Sequence, residues 1–274
     1  AGEGLTGAAR LLFLFGFQPS DTYLCVGPLY HAAPIAFTMA QLRIGATVVV
    51  MPRFDPEDAL RLIEKHRITS SQWVPTHFVR LLRLPDDIRQ RYDLSSHRIA
   101  VHAAAPCPVP VKQAMIDWWG PILLEYYAAT EGGGTLIRSD EWLKKRGSVG
   151  RHWAGGKVWI LDERGDEVAQ GREGIIYFEG APDPAQRFVY YKDEAKTERT
   201  YRGHLFTVGD VGYLDADGYL FLTDRLSNMI ICGGVNIYPA EVENLLITHP
   251  SVADVAVIGV PDAEMGEAVK AVIE

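Results

Sequence analysis

Between residues 45 and 131 the chain alternates strand-like runs with helix signals, and this alternation restricts the fold more than any other feature. Residues 46–51 (Ala-Thr-Val-Val-Val-Met) form a β-branched run suited to a buried strand. Asp55-Pro56-Glu57 then supplies an N-cap, a proline at the first helical position and an acid in the first turn. Leu60, Ile63 and His66 recur at helical spacing. The same reading predicts strands over 70–74, 98–103 and 122–127, with helices over 76–84 and 111–119. Strands separated by helices pair in parallel, so an α/β core with a parallel sheet is expected.

After Gly147 the texture changes. Residues 157–161, 174–178 and 218–222 are short strand candidates separated by turns such as Asp215-Ala-Asp-Gly218. They predict a small antiparallel or barrel-like β subdomain. Beyond Arg225 come a strand or hairpin around 229–232, a helix opened by Pro239-Ala-Glu-Val-Glu243, and a strand over 252–260. The expected division is a core over residues 1–224, with an α/β part (1–146) and a β-rich part (147–224). A small α+β lid follows over 225–274.

Composition narrows the function. The formal net charge is −8 without any Lys/Arg cluster, so a nucleic-acid partner is not expected. Three widely spaced cysteines (Cys25, Cys107, Cys232) signal neither a zinc site nor a disulfide framework. The apolar stretch 11–17 is too short to span a bilayer and no secretory signal is present, so a reducing, cytoplasmic setting is the default. Oligomeric state is open, a homodimer included.

In open parallel sheets ligands gather at the carboxyl ends of the strands. Those ends carry Trp73-Val-Pro75, Ala103-Ala-Ala-Pro106 and Tyr126-Tyr-Ala-Ala-Thr-Glu-Gly-Gly-Gly134. Small residues admit a flat ring, an aromatic side chain can stack on it, and Thr with Glu can meet phosphate and its magnesium. Each has a plainer reading as well. The alanines suit packing, the glycines a turn, Asp210 a turn, Arg225 a surface charge and His31 a core position.

Five segments, in this order, resemble the adenylate-forming superfamily of acyl-CoA synthetases, luciferases and peptide-synthetase adenylation domains. They are Pro28-Leu-Tyr-His-Ala-Ala-Pro34, Tyr127-Ala-Ala-Thr-Glu131, Gly147-Ser-Val-Gly150, Gly203-His-Leu-Phe-Thr-Val-Gly-Asp-Val-Gly212, and the run from Asp224-Arg-Leu-Ser through Gly233-Gly-Val-Asn to Pro239-Ala-Glu-Val-Glu243. The resemblance implies an acyl-CoA synthetase, an acid–thiol ligase. ATP and a hydrophobic fatty or aryl acid give an acyl-adenylate, from which the CoA thiol displaces AMP.

By the same resemblance, Tyr127 would lie against adenine, with Ala104, Ala105, Pro106, Glu125, Tyr126 and Ala128 around the nucleotide. Thr130 would contact phosphates and Glu131 would hold Mg²⁺. Asp210 would accept both ribose hydroxyls and Arg225 would reach ribose or phosphate. His31 would stand between acyl pocket and CoA, with Trp73, Ala129 and Gly132 along the acyl group. Gly233 and Gly234 would admit the CoA chain, and Ser227 would be the hinge.

The sequence departs from the family pattern at Ala103 and Ala128, where glycine is usual, at Ser227, where Asp or Lys is common, and at Asn228, where an acid is frequent. The family's glycine-rich phosphate loop would precede Ala1 and its catalytic lysine would follow Glu274. These 274 residues alone are therefore expected to make little acyl-adenylate. A peptide-synthetase domain would carry an acid for the substrate amine, and His31-Ala-Ala-Pro-Ile-Ala-Phe37 shows none. A nucleotide-binding module without turnover is the third reading.

Overall fold

The strand and helix signals of the first half build a parallel sheet in the order β2-β1-β3-β4-β5. Its strands are β1 (Thr22–Cys25), β2 (Thr47–Val50), β3 (Ser70–Trp73), β4 (Ile99–His102) and β5 (Leu123–Ala129). Between them run α1 (Ala32–Ile44), α2 (Pro56–Lys65), α3 (Pro75–Leu82), the single turn α4 (Asp86–Arg89) and α5 (Val109–Trp119). This computed structural model describes residues 13–262 and 264–274, so the front of the apolar stretch 11–17 lies outside the described residues. The chain divides into two compact units, residues 1–125 with 138–143 and residues 126–137 with 144–274.

Helix α2 starts as its sequence predicts. Asp55 Oδ1 accepts the Asp58 amide at 2.9 Å, which satisfies one orphan donor of the first turn, and Pro56 stands at the first helical position. Leu60 and Ile63 are fully buried, each contributing about 1.5–3 kcal/mol of hydrophobic free energy. The run over 46–51, expected inside the sheet, instead forms the terminal strand β2 of the described sheet, with Val50 43% exposed. β-branched residues set the strand conformation but not its place in the order.

In the second unit, antiparallel strands dominate. They are β6 (Gly132–Arg138), β7 (Ser148–His152), β8 (Val158–Leu161), β9 (Gly174–Glu179), β10 (Tyr201–Arg202), β11 (Leu205–Phe206), β12 (Asp210–Leu214) and β13 (Leu220–Arg225). The α6 turn (Ser139–Trp142) belongs to the first unit, and α7 (Glu194–Thr200) precedes β10. Val149, Val158, Ile160, Ile176, Phe178, Phe206 and Leu220 form the core beneath these strands.

Beyond β13 a smaller antiparallel sheet has the order β15-β14-β17-β16. Its strands are β14 (Ile230–Cys232), β15 (Val235–Ile237), β16 (Val255–Asp262) and β17 (Gly266–Ile273), with α8 (Pro239–Leu246) packed on β16. Gly233 and Gly234 join β14 to β15 with φ of 57° and 80°. Two central residues in the left-handed region make the tight turn that matches strand twist, so this hairpin itself calls for two glycines.

Candidate active site

The second unit assembles a charged cluster from residues far apart in sequence. Strands β12 and β13 pair antiparallel with Asp210 directly opposite Arg225. Arg225 Nε lies 3.2 Å from Asp210 Oδ1, and the Tyr127 hydroxyl donates to Asp210 Oδ2 at 2.5 Å. Asp210 is buried, whereas the Arg225 side chain is 68% exposed. An ionised carboxylate offers about four acceptor positions, so two remain for further donors such as a diol. Burial, then the Asp210 charge, hold the Tyr127 phenol above its ordinary value, and it stays a donor. Its ring packs against the Phe178 ring at 5.9 Å, which fixes the aromatic plane.

Thr130 and Glu131 form the turn between β5 and β6, with Thr130 exposed and Glu131 half-buried. Glu131 Oε1 accepts from the Tyr190 hydroxyl at 2.8 Å. Among the described residues no group of three His, Cys, Asp or Glu side chains could hold a metal alone. One carboxylate beside one hydroxyl fits Mg²⁺, which favours one or two protein ligands and takes the rest from phosphate and water.

The glycines after Glu131 do not form a flexible turn. They open strand β6, and a Cβ added at Gly133 or Gly134 would sit 2.4 Å from Phe178 or 2.3 Å from Trp153. These glycines seat aromatic rings of their own unit, while a Cβ at Gly132 would meet Phe206 at an ordinary 3.5 Å. Ala128 and Ala129 are half-buried in β5, as is Tyr126.

In the first unit, Ala104, Ala105 and Pro106 are exposed just past β4, and Ala104 has φ 80°. An alanine there carries strain of about 1–2 kcal/mol, a feature that concentrates at functional segments. His31 is exposed as the N-cap residue of α1, its ring 4.6 Å from Tyr30. Trp73 is placed otherwise than along an acyl group. It is 1% exposed, donates to Ser71 Oγ at 2.5 Å and packs against Trp119 and Phe78, so protein neighbours occupy its ring.

Glu125 also turns inward. Lys112, on α5 and fully buried, lies 2.5 Å from Glu125 Oε2, and His102 Nε2 lies 3.8 Å from the same oxygen. Burial raises the Glu125 pKa despite the pull of Lys112, and it lowers that of His102 well below the usual imidazole value. Ser227 is exposed in the turn after β13. Before it, Asp224 Oδ2 accepts the Ala240 amide at 2.9 Å and ties the first turn of α8 to β13.

Sequence reasoning missed Tyr190 and Lys112. Each meets its partner only through tertiary packing, and neither stands in a short motif.

The AMP-binding enzyme family model matches residues 5–182, well over half the chain, and the AMP-binding enzyme C-terminal domain matches 241–274. The chain belongs to the AMP-binding enzymes. Among curated relatives, a medium/long-chain-fatty-acid–CoA ligase of Mycobacterium tuberculosis is 36% identical over 255 residues, 92% of this chain and 43% of that protein. A 4-coumarate–CoA ligase-like protein of Arabidopsis thaliana is 35% identical over 255 residues, 91% of this chain and 46% of its own length. The chain thus spans about half the length of the curated relatives it matches. Among solved structures, o-succinylbenzoate coenzyme A synthetase of Bacillus subtilis, in complex with ATP and magnesium ion, superposes with TM-score 0.80 at 29% identity. That match covers 97% of this chain and 54% of the neighbour.

Proposed function

We propose that the protein carrying this chain is an acyl-CoA synthetase acting on a hydrophobic fatty or aryl acid. The observation that carries this reading is the cluster Asp210–Arg225–Tyr127, a buried carboxylate with acceptor capacity to spare beside a cation and an aromatic ring. Asp210 accepts the ribose diol, the Tyr127 ring packs beside adenine, and Arg225 faces the ribose or phosphates. Ala104, Ala105, Pro106 and Ala128 border the nucleotide, and His31, Ala129 and Gly132 the acyl group. Thr130 would contact the phosphates and Glu131 would hold Mg²⁺, which would offset charge on the leaving pyrophosphate. Residues 1–224 act as the core and 225–274 as a lid turning at Ser227.

The chemistry proceeds in two steps. A carboxylate oxygen of the acid attacks the α-phosphorus of ATP and pyrophosphate leaves. The CoA thiol then loses its proton to solvent, its sulfur attacks the acyl carbon, and AMP leaves as the anion. Names of the relatives support CoA as acceptor and leave fatty against aryl acids open. The test is pyrophosphate release by the full-length protein across a panel of fatty and aryl acids, with and without CoA. Release that depends on one acid class and yields its CoA thioester supports the proposal. ATP binding without acid-dependent release from any member overturns it in favour of a non-catalytic nucleotide module.

A further inference from the structure

Glu131 has a partner that its own neighbourhood in the chain does not supply. Tyr190 donates its hydroxyl to Glu131 Oε1 at 2.8 Å across a separation of 59 residues. Tyr190 is itself held from several directions. Its amide donates to Thr197 Oγ1 at 2.9 Å, the Lys196 ammonium sits 4.0 Å from its ring centroid, and the Phe188 ring meets it edge-on at 5.7 Å. Thr197 and Lys196 belong to α7, whose N-cap Asp193 accepts the Lys196 amide at 2.9 Å. A capped helix therefore aims the phenol.

A free glutamate side chain samples many rotamers, and ordering them opposes cation binding. The Tyr190 hydroxyl occupies Oε1 and leaves Oε2, together with the second lone pair of Oε1, for other ligands. We propose that Tyr190 is a positioning residue, locking the Glu131 carboxylate so that its open oxygen faces the divalent cation of metal·ATP. This rests on the cation role proposed above for Glu131. The benefit is pre-organisation, since a ligand already in its bound rotamer loses less entropy when the cation arrives.

The experiment titrates Mg²⁺ against ATP binding by the full-length protein, read by calorimetry, with AMP binding as the metal-free control. Tyr190→Phe keeps the ring and its packing while removing the donor. It should raise the Mg²⁺ concentration for half-maximal ATP binding about three- to tenfold, the scale of one modest hydrogen bond, and leave AMP affinity unchanged. In a Glu131→Gln background the same substitution should add no shift, because the pair acts as a unit. An unchanged Mg²⁺ requirement in Tyr190→Phe overturns the proposal. So does an equal shift in both backgrounds, or a parallel loss of AMP affinity, which marks a purely structural role. A Glu131→Gln variant with normal Mg²⁺ dependence removes the cation role itself, and the role of Tyr190 falls with it.

Discussion

Lys112→Met should be among the most damaging single substitutions in the first unit. The lysine is fully buried and its Glu125 partner is 6% exposed at the side chain, so neither charge is screened by water. Methionine preserves most of the stem packing but leaves the carboxylate unpaired beside His102, 3.8 Å away. Removing one partner of such a pair costs about 3–5 kcal/mol. The Lys112 ammonium also lies 4.9 Å from the Trp142 ring centroid, and the neutral methionine cannot reproduce that cation–π attraction. Lys112→Met combined with Glu125→Leu removes both charges together and should recover to within about 1 kcal/mol of the parent. Acidity supplies a second signature. Burial raises the folded-state pKa of Glu125, so its contribution to stability is largest below the unfolded pKa and declines as pH rises through the folded one. Without Lys112 the folded pKa moves higher still, so the deficit of the single variant should shrink from about pH 8 to about pH 5. Urea denaturation followed by tryptophan fluorescence measures all of this. A single-variant loss under about 1 kcal/mol, or a double variant as unstable as the sum of the singles, would refute the argument.

Asp210→Ala should weaken AMP binding by about 1.5–3 kcal/mol in calorimetry, since it removes a charged acceptor; unchanged affinity would remove Asp210 from the ribose. Gly134→Ala should destabilise the second unit by about 1–3 kcal/mol in chemical denaturation, because its Cβ would overlap the Trp153 ring at 2.3 Å. A neutral result would mean that the ring has room to shift. Ser227→Pro fixes φ near −65° in the turn after β13 and should slow one half-reaction of the full-length protein far more than the other. Equal slowing of both would remove the hinge from this position.

Local signals exposed much of the fold to sequence reading, and long-range pairings hid the rest. Helix α2 was legible because Asp55, Pro56 and the spacing of Leu60 and Ile63 agree with one another. Helix α1 was not, because its N-cap residue His31 makes no side-chain capping hydrogen bond and Ala-Ala-Pro-Ile-Ala-Phe opens it without a clean apolar stripe. Strand β6 was hidden by its three glycines, two of which, Gly133 and Gly134, are required by the Phe178 and Trp153 rings from remote parts of the chain. At the site, Asp210 and Arg225 stood in recognisable segments, but their contact comes from the β12–β13 register. The Tyr190–Glu131 and Lys112–Glu125 pairs have no local signature, since each joins residues that only the folded chain brings together. Trp73 shows the opposite limit. An aromatic at a strand's carboxyl end reads as a ligand wall, and burial decides otherwise.

If this chain forms part of a site that joins a carboxylate oxygen to the α-phosphate of ATP, an oxygen atom of the acid must pass to AMP. The direct test supplies the full-length protein with ATP, CoA, magnesium and its acid labelled with oxygen-18 in the carboxyl group. An acyl-adenylate route keeps the bridging oxygen on AMP when the thiol attacks the acyl carbon. Mass spectrometry should therefore find one labelled oxygen in each AMP formed, matched by an equal amount of CoA thioester. Unlabelled AMP, or label appearing in inorganic phosphate, would contradict the account.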